Sequence, residues 1–436
     1  MKRFQPATIL AAGWAAFLVY AYPGTLTFDS IDVLIQARAG NYRDDQPPVA
    51  TAIWGLVDHV IAGPLGMLVI QSVALLAGLY LVFRKTFEAR GAAIAAVAVF
   101  LFPPVMTPMT AIWKDPLMAG LLVLGIGLVL QRRTAAIWAG VAALALAAAI
   151  RYNAPAATLA PIVLLLEWRW TGWKRYAFAS AVWAVATFAA MSANVVLADR
   201  QTSAWHNTLA IYDITGTLAH VDETVPDDQL RELLAGSDLL VDHDIHATIR
   251  AVFDPKNYLA PVTDPTRALW HFSLENEARP SEAFRTAMAR TWKWAVTTYP
   301  AAYAAHRLRA FDLVLDGDGG AIPWRGEAQK ELRASMHLPN GANAVQLAIY
   351  RKLVRLERRT HIFTPWVYFL VAIVLLPLAR REPDVLALLA SGLCYEGALL
   401  VFAATRDYRY SHWLVTACCI AVVTLTARRS RAKVRA

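Results

Sequence analysis

LGMLVIQSVALLAGLYLVF, residues 65–83, carries not one charged side chain and runs directly into Arg84 and Lys85. A helix needs about 20 mostly apolar residues to cross the hydrocarbon core of a bilayer, and this stretch supplies them. Outward from it, the same criterion selects residues 6–22, 91–106, 115–131, 136–150, 155–168, 177–197, 364–379, 384–403 and 413–427, giving about ten transmembrane helices. The 436 residues are 57% hydrophobic and 17% charged, with a mean hydropathy of +0.39. Such values exclude a soluble enzyme of this length. They describe an all-α polytopic membrane protein.

The net charge is +9, and no nucleic-acid partner follows from it, because the basic residues cluster at the ends of apolar runs rather than on one face. With the N-terminus in the cytoplasm, the inside segments carry about 17 Lys and Arg and the outside short loops about six. That asymmetry predicts both termini in the cytoplasm. Lys2 and Arg3 before an apolar run resemble a signal peptide, but no convincing small-residue cleavage site follows, and the segment is read as a retained helix. Cys394, Cys418 and Cys419 all lie in apolar segments, which indicates neither a disulfide framework nor a thiolate metal site.

Between the seventh and eighth spans lies a long polar region. It contains PDDQLRELLAGSDLLVDHDIHATIRAVFD and SEAFRTAMARTWKWAVTTYPAAYAAHRLRAF, whose apolar residues recur at three and four, as in amphipathic helices. Pro, Asp and Gly clusters separate them. The chain therefore divides into an N-terminal transmembrane module, 1–197, with a polar first outer loop at 23–64. A mostly helical extracytoplasmic insert, 198–363, and C-terminal helices with a basic tail, 364–436, complete it.

The outward loops hold the chemistry-bearing residues, and each has a plain structural alternative. TFDSIDVLIQARAGNYRDDQPPV, 27–49, contains Asp29, Ser30, Asp44, Asp45 and Gln46; Asp29 and Ser30 are also good caps for a short helix through 30–40. Lys114, Asp115 and Pro116 form an ordinary helix start. Arg151 closes one apolar run, where it suits the helix dipole or snorkels to headgroups. Arg406, Tyr408 and Arg409 in ATRDYRYSHWL fit an interfacial belt. Taken together, ionisable groups at membrane depth are costly unless they face a cavity or a partner, and one shared cavity is the simpler account. Such a cavity suits sugar transfer from a lipid phosphate, in which a carboxylate takes a proton and cations hold the departing phosphate.

YPGTLTFDS after the first helix, DQPPV, WKDPL at the fourth span, RYNA at the sixth and the late RDYRY resemble the bacterial GT-C superfamily of integral membrane glycosyltransferases. Its members include the protein O-mannosyltransferases and the lipid A aminoarabinose transferase. The resemblance lies mainly in the first half of the chain. It implies a hexosyl- or pentosyltransferase of the bacterial inner membrane, working outward in cell-envelope synthesis. The implied partners are a polyprenyl-phosphate-sugar donor and a lipid, glycan or protein acceptor. The family's catalytic acid falls at Asp29; many relatives have Asp-Glu there, and this chain has Asp29-Ser30. Asp44, Asp45, Gln46 and Asp115 fall where acceptor or supporting groups stand, and Lys114, Arg151, Arg406, Tyr408 and Arg409 where the donor phosphate is held. A divalent metal is compatible with this site, and nothing in the sequence requires one. Asp242, His243, Asp244 and His246 of the insert have ligand-like types at no standard ligand spacing, and read as a solvated face.

The competing reading is a transporter or flippase of a lipid-linked glycan. Transporters place polar groups near the midplane in broken helices and commonly show internal repeats. Here the charges sit at the outer ends of the spans, and no repeat is visible. A non-catalytic scaffold would leave the clustered acids unexplained.

Overall fold

The computed structural model describes residues 5–435 apart from positions 168, 265, 272–279, 318–320, 324–333, 335, 337 and 339–341. Its helices are α1 Pro6–Ala21, α2 Phe28–Ala39, α3 Pro48–Val60, α4 Leu65–Phe83, α5 Ala89–Phe100, α6 Pro103–Met106, α7 Lys114–Val129, α8 Thr134–Ile150, α9 Pro155–Leu165 and α10 Gly172–Leu197. The insert adds α11 Ala210–Ala219, α12 Asp227–Leu233, α13 Ile245–Val252, α14 Ala260–Thr263, α15 Glu282–Thr298, α16 Pro300–Asp316 and α17 Ala344–Arg359. Last come α18 Pro365–Leu378, α19 Pro383–Phe402 and α20 His412–Arg435. No β-strand occurs among the described residues.

The bundle is organised around α7. All of its residues except Lys114, Leu124 and Leu128 are buried. Lipid gives packed apolar helices no hydrophobic reason to associate, so close contact depends on small residues that let backbones meet. A Cβ on Gly78 of α4 would lie 2.4 Å from the Leu124 nitrogen, and one on Gly140 of α8 would lie 2.7 Å from the Gly125 carbonyl oxygen. At the rim the opposite holds: α10 leaves Val185 68%, Phe188 75% and Val196 82% exposed, as a lipid-facing helix should. The protein is a polytopic integral membrane protein.

A helix stands at each of the ten stretches expected to span. By length and composition α4, α10, α19 and α20 (the last counted from Tyr408) suffice to cross a membrane, while α1, α8, α9 and α18 are apolar and shorter. The stretch expected as one helix at 91–106 is two, bent by 72° between α5 and the segment Pro103–Thr110. Pro103 and Pro104 cause the break: neither has an N–H to donate, and the residue before a proline avoids the helical region. The first loop also holds more structure than expected. Besides α2 it contains α3, which Pro48 opens and which Asn194 of α10 anchors by accepting the Val49 amide at 3.0 Å.

The insert has its own apolar core, built by Ile211, Leu218, Leu230, Ile249, Trp270 and Met288 among others. It is also tied to the bundle. Buried Asp213 accepts from Trp292 Nε1 at 2.9 Å and pairs with Arg307 Nη2 at 2.7 Å, and Arg307 Nη1 donates to the Ala403 carbonyl at the end of α19, 2.7 Å away. Tyr212 Oη donates to the Pro255 carbonyl at 2.8 Å, and Asn257 forms a bridge with Thr405. The insert thus grips both ends of the segment before Arg409. The expected membrane topology can be checked by labelling Ala235→Cys in the insert and Ala432→Cys in the tail with impermeant thiol reagents. They should react from opposite sides, and reaction of both from one side contradicts the assignment.

Candidate functional site

Local capping starts the site. At the head of α2 the Thr27 amide donates to Ser30 Oγ at 3.2 Å, and Ser30 Oγ in turn donates to the Ile112 carbonyl at 2.8 Å. Trp113 Nε1 donates to Thr27 Oγ1 at 2.8 Å. These bonds pin the first turn of α2 to the two residues that precede Lys114. Parallel bridging between Thr25 and Ala111 extends the same seam. Asp29 and Lys114, far apart in sequence, consequently line one cleft together with Ser30, Gln46, Trp113 and Arg409.

Arg409 enters from the other end of the chain. Its Nη1 lies 2.6 Å from Asp29 Oδ2 and its Nε 2.9 Å from Asp407 Oδ2. Its guanidinium stacks over Trp113 at 4.9 Å and Tyr410 at 5.4 Å. Arg151 covers the Tyr410 ring at 4.8 Å and pairs with the buried Asp115 at 2.8 Å. Lys114 Nζ donates to the Gln46 side-chain oxygen. Among the described residues that neutral amide is its hydrogen-bond partner, so Lys114 is the cation of the cluster without a carboxylate in contact. Asp29 keeps 37% of its side chain exposed.

Burial raises the Asp29 carboxyl, but Arg409 and Lys114 outweigh it and hold the group below the ordinary carboxylate value. The charges win over desolvation, and Asp29 is ionised at neutral pH. Asp407 shows the reverse balance: burial pushes it up to about 6 against the pull of Arg409.

The structure thus gathers Asp29, Gln46, Lys114, Asp115, Arg151 and Arg409. It directs others elsewhere. Asp44 Oδ1 accepts from the Thr202 amide and hydroxyl, each at 2.6 Å, tying the loop to the start of the insert. Asp45 meets Arg43 at 3.2 Å, and Arg43 meets Asp32 at 2.7 Å, a cluster apart from Asp29. Tyr408 is buried with its hydroxyl on the Pro104 carbonyl at 3.1 Å, where it fastens the loop to α6. Arg406 is half-buried in the same loop. Sequence reasoning places Asp407 in the last outer loop without a role and does not select Trp113. The acid two residues ahead of Arg409 was a usable signal for the first, whereas only the fold brings Trp113 under Arg409.

Among the described residues, no three His, Cys, Asp or Glu side chains are grouped to hold a metal ion. His246 of the insert is a core histidine: Nδ1 accepts the Val225 amide at 2.9 Å and Nε2 meets the Leu218 carbonyl at 2.8 Å.

Fold and site define the class, an integral membrane protein with a charged cleft among its first loop, the head of α7 and the loop that carries Arg409. Compared with protein-family models, the chain matches none, and no curated protein matches it. Among solved structures it is similar to ArnT from Cupriavidus metallidurans bound to undecaprenyl phosphate, at 13% identity and a TM-score of 0.36, over 97% of this chain and 78% of that one. It is also similar to the Archaeoglobus fulgidus oligosaccharyltransferase tethered with an acceptor peptide, at 11% identity and a TM-score of 0.37, over 97% of this chain and 49% of that one. Likeness at that level carries no argument about what the chain does.

The Arg151–Asp115 pair yields a stability test. Arg151→Met strands a buried carboxylate and should cost about 3–5 kcal/mol in unfolding of the purified protein. Asp115→Asn combined with Arg151→Met should recover a large part of that loss. Equal destabilisation by the single and double variants would show that the pair contributes packing rather than charge compensation.

Proposed function

We propose that this protein is a GT-C-type membrane glycosyltransferase that moves a sugar from a polyprenyl-phosphate-linked donor to an extracytoplasmic acceptor. The observation that carries the reading is the state of Asp29. It is ionised and half-exposed at a cleft, held by Arg409 through Oδ2, while among the described residues Oδ1 makes no hydrogen bond. The motifs shared with the GT-C superfamily and the membrane setting support the same reading. The transport alternative gains nothing from the structure, since these charges gather at one end of the bundle.

In the proposed reaction Asp29 Oδ1 takes the proton of an acceptor hydroxyl as that oxygen bonds to the anomeric carbon. The bond from the anomeric carbon to the phosphate oxygen breaks, and the phosphate leaves with the electron pair. Preorganised cations aimed at that developing charge are the usual source of such stabilisation. Lys114 fits this task best, because Arg409 is already shared by two carboxylates and Arg151 is neutralised by Asp115. Arg409 then acts by setting the position and charge of Asp29. Active site outward, termini cytoplasmic and residence in a bacterial inner membrane belong to the same proposal and rest on the Lys/Arg asymmetry and the resemblance.

The test is an assay of the purified protein against a panel of polyprenyl-phosphate sugars. General-base assistance is worth about a hundred- to ten-thousand-fold, so Asp29→Asn should lower kcat by that order with little change in donor KM. Lys114→Met should instead raise donor KM as well as lower kcat. Asp29→Asn with near-wild-type turnover, beside an Asp407→Asn variant without any, would move the base to Asp407. Absence of transfer from every donor in wild-type protein would overturn the reading.

A further inference from the structure

Helix α17 runs from the C-terminal end of α1 toward the start of α18. Near its start, Gln346 Nε2 donates to the carbonyls of Tyr20 at 3.2 Å and Tyr22 at 2.5 Å, at the C-terminal end of α1. Its last residue, Arg359, stands just ahead of Pro365, the first residue of α18. Both ends are therefore held at the end of the apolar bundle, and a 16-residue helix between them covers about 24 Å along its edge. Its sequence, AVQLAIYRKLVRLERR, suits that position. Leu353 is buried against the core, with Ile349, Tyr350 and Val354 packed beside it. Arg351, Lys352, Arg355, Arg358 and Arg359 are exposed, at spacings that place them on one side, and Glu357 is the helix's one acid.

Two cavities meet at the end of this basic face. One is a polar hollow of ≈ 620 Å³ lined by Arg358, Arg359, Thr360, His361 and Thr364, with Asp316 and Glu357 at its wall. The other is an apolar groove of ≈ 530 Å³ among α5, α18 and α20, lined by Val99, Phe102, Val371, Cys419 and Val422. His361 lines both. A polar hollow with two arginines, joined through one residue to a groove among apolar helices, has the form of an amphiphile's headgroup and tail.

We infer that this corner binds an anionic phospholipid, its phosphate at Arg358 and Arg359 and one acyl chain in the groove. Charge complementarity selects the anionic headgroup, with Arg351, Lys352 and Arg355 extending the field along the edge. The groove separates the site from a merely basic surface, because it needs a chain as well as a charge. The inference rests on the membrane fold and is independent of the proposed transferase reaction.

Native mass spectrometry of the detergent-purified full chain tests it, with phosphatidylglycerol, phosphatidylcholine and undecaprenyl phosphate as probes. Wild type should retain phosphatidylglycerol in preference to phosphatidylcholine. Each arginine removed should weaken that retention about fivefold, so R358Q/R359Q should show it strongly reduced. V422W, which fills the groove and leaves every charge in place, should reduce it too. R231Q/K293Q, an equal charge change on the insert, should leave it intact. Equal retention of the two phospholipids by wild type, loss in R231Q/K293Q matching that in R358Q/R359Q, or insensitivity to V422W would overturn the inference. So would retention of undecaprenyl phosphate alone.

Discussion

Charge inside an apolar helical bundle must be compensated on the spot, and the structure is arranged around that demand at the head of α7. Backbone-close packing against α4 and α8 buries α7 on nearly every side, and its first turn carries Lys114 and Asp115 into the same surroundings. An unpaired carboxylate there would cost several kcal/mol. Arg151 from the end of α8 meets Asp115, and Gln46 from the first loop meets Lys114. The connections that supply these partners are the ones that close the site, so packing and chemistry share one cause.

The cluster is close to electrically balanced, with Lys114, Arg151 and Arg409 set against Asp29, Asp115 and Asp407. Its distribution is uneven. Arg409 lies between two carboxylates and two aromatic rings, an arrangement that a planar guanidinium satisfies and an ammonium does not. Lys114 has a neutral partner and is the cation best able to meet an incoming anion. The same field keeps Asp29 ionised although burial favours its neutral form, at the cost of some basicity. Under the proposed reading, proton transfer from an alcohol to so weak a base becomes favourable because it runs in step with bonding to an electron-poor carbon.

The insert contributes without lining the cleft. Asp213 joins α11, α15 and α16, and Arg307 carries that linkage onto the Ala403 carbonyl, just past the end of α19. The loop with Asp407 and Arg409 begins at that carbonyl. A polar insert with its own core thereby holds the loop that carries Arg409 to Asp29, through the buried Asp213–Arg307 pair.

The sequence by itself determined the class and the positions of the long apolar helices, because apolar runs of membrane length are local properties that lipid reads one segment at a time. It also placed Asp29, Lys114, Arg151 and Arg409 at segment ends, since charges are excluded from the runs between. The break at Pro103 and Pro104 was legible in principle and was hidden by an otherwise uniform hydropathy. Only the tertiary structure decided which charges meet. Asp44 and Asp45 are as acidic as Asp29 and lie in the same loop, yet their partners are Thr202 and Arg43. Asp29 meets Arg409 because Thr27, Ser30, Ile112 and Trp113 lock the start of α2 beside α7, and because the insert holds the 403–411 loop above it. Pairing across the length of the chain depends on packing geometry, which no local pattern of residues encodes.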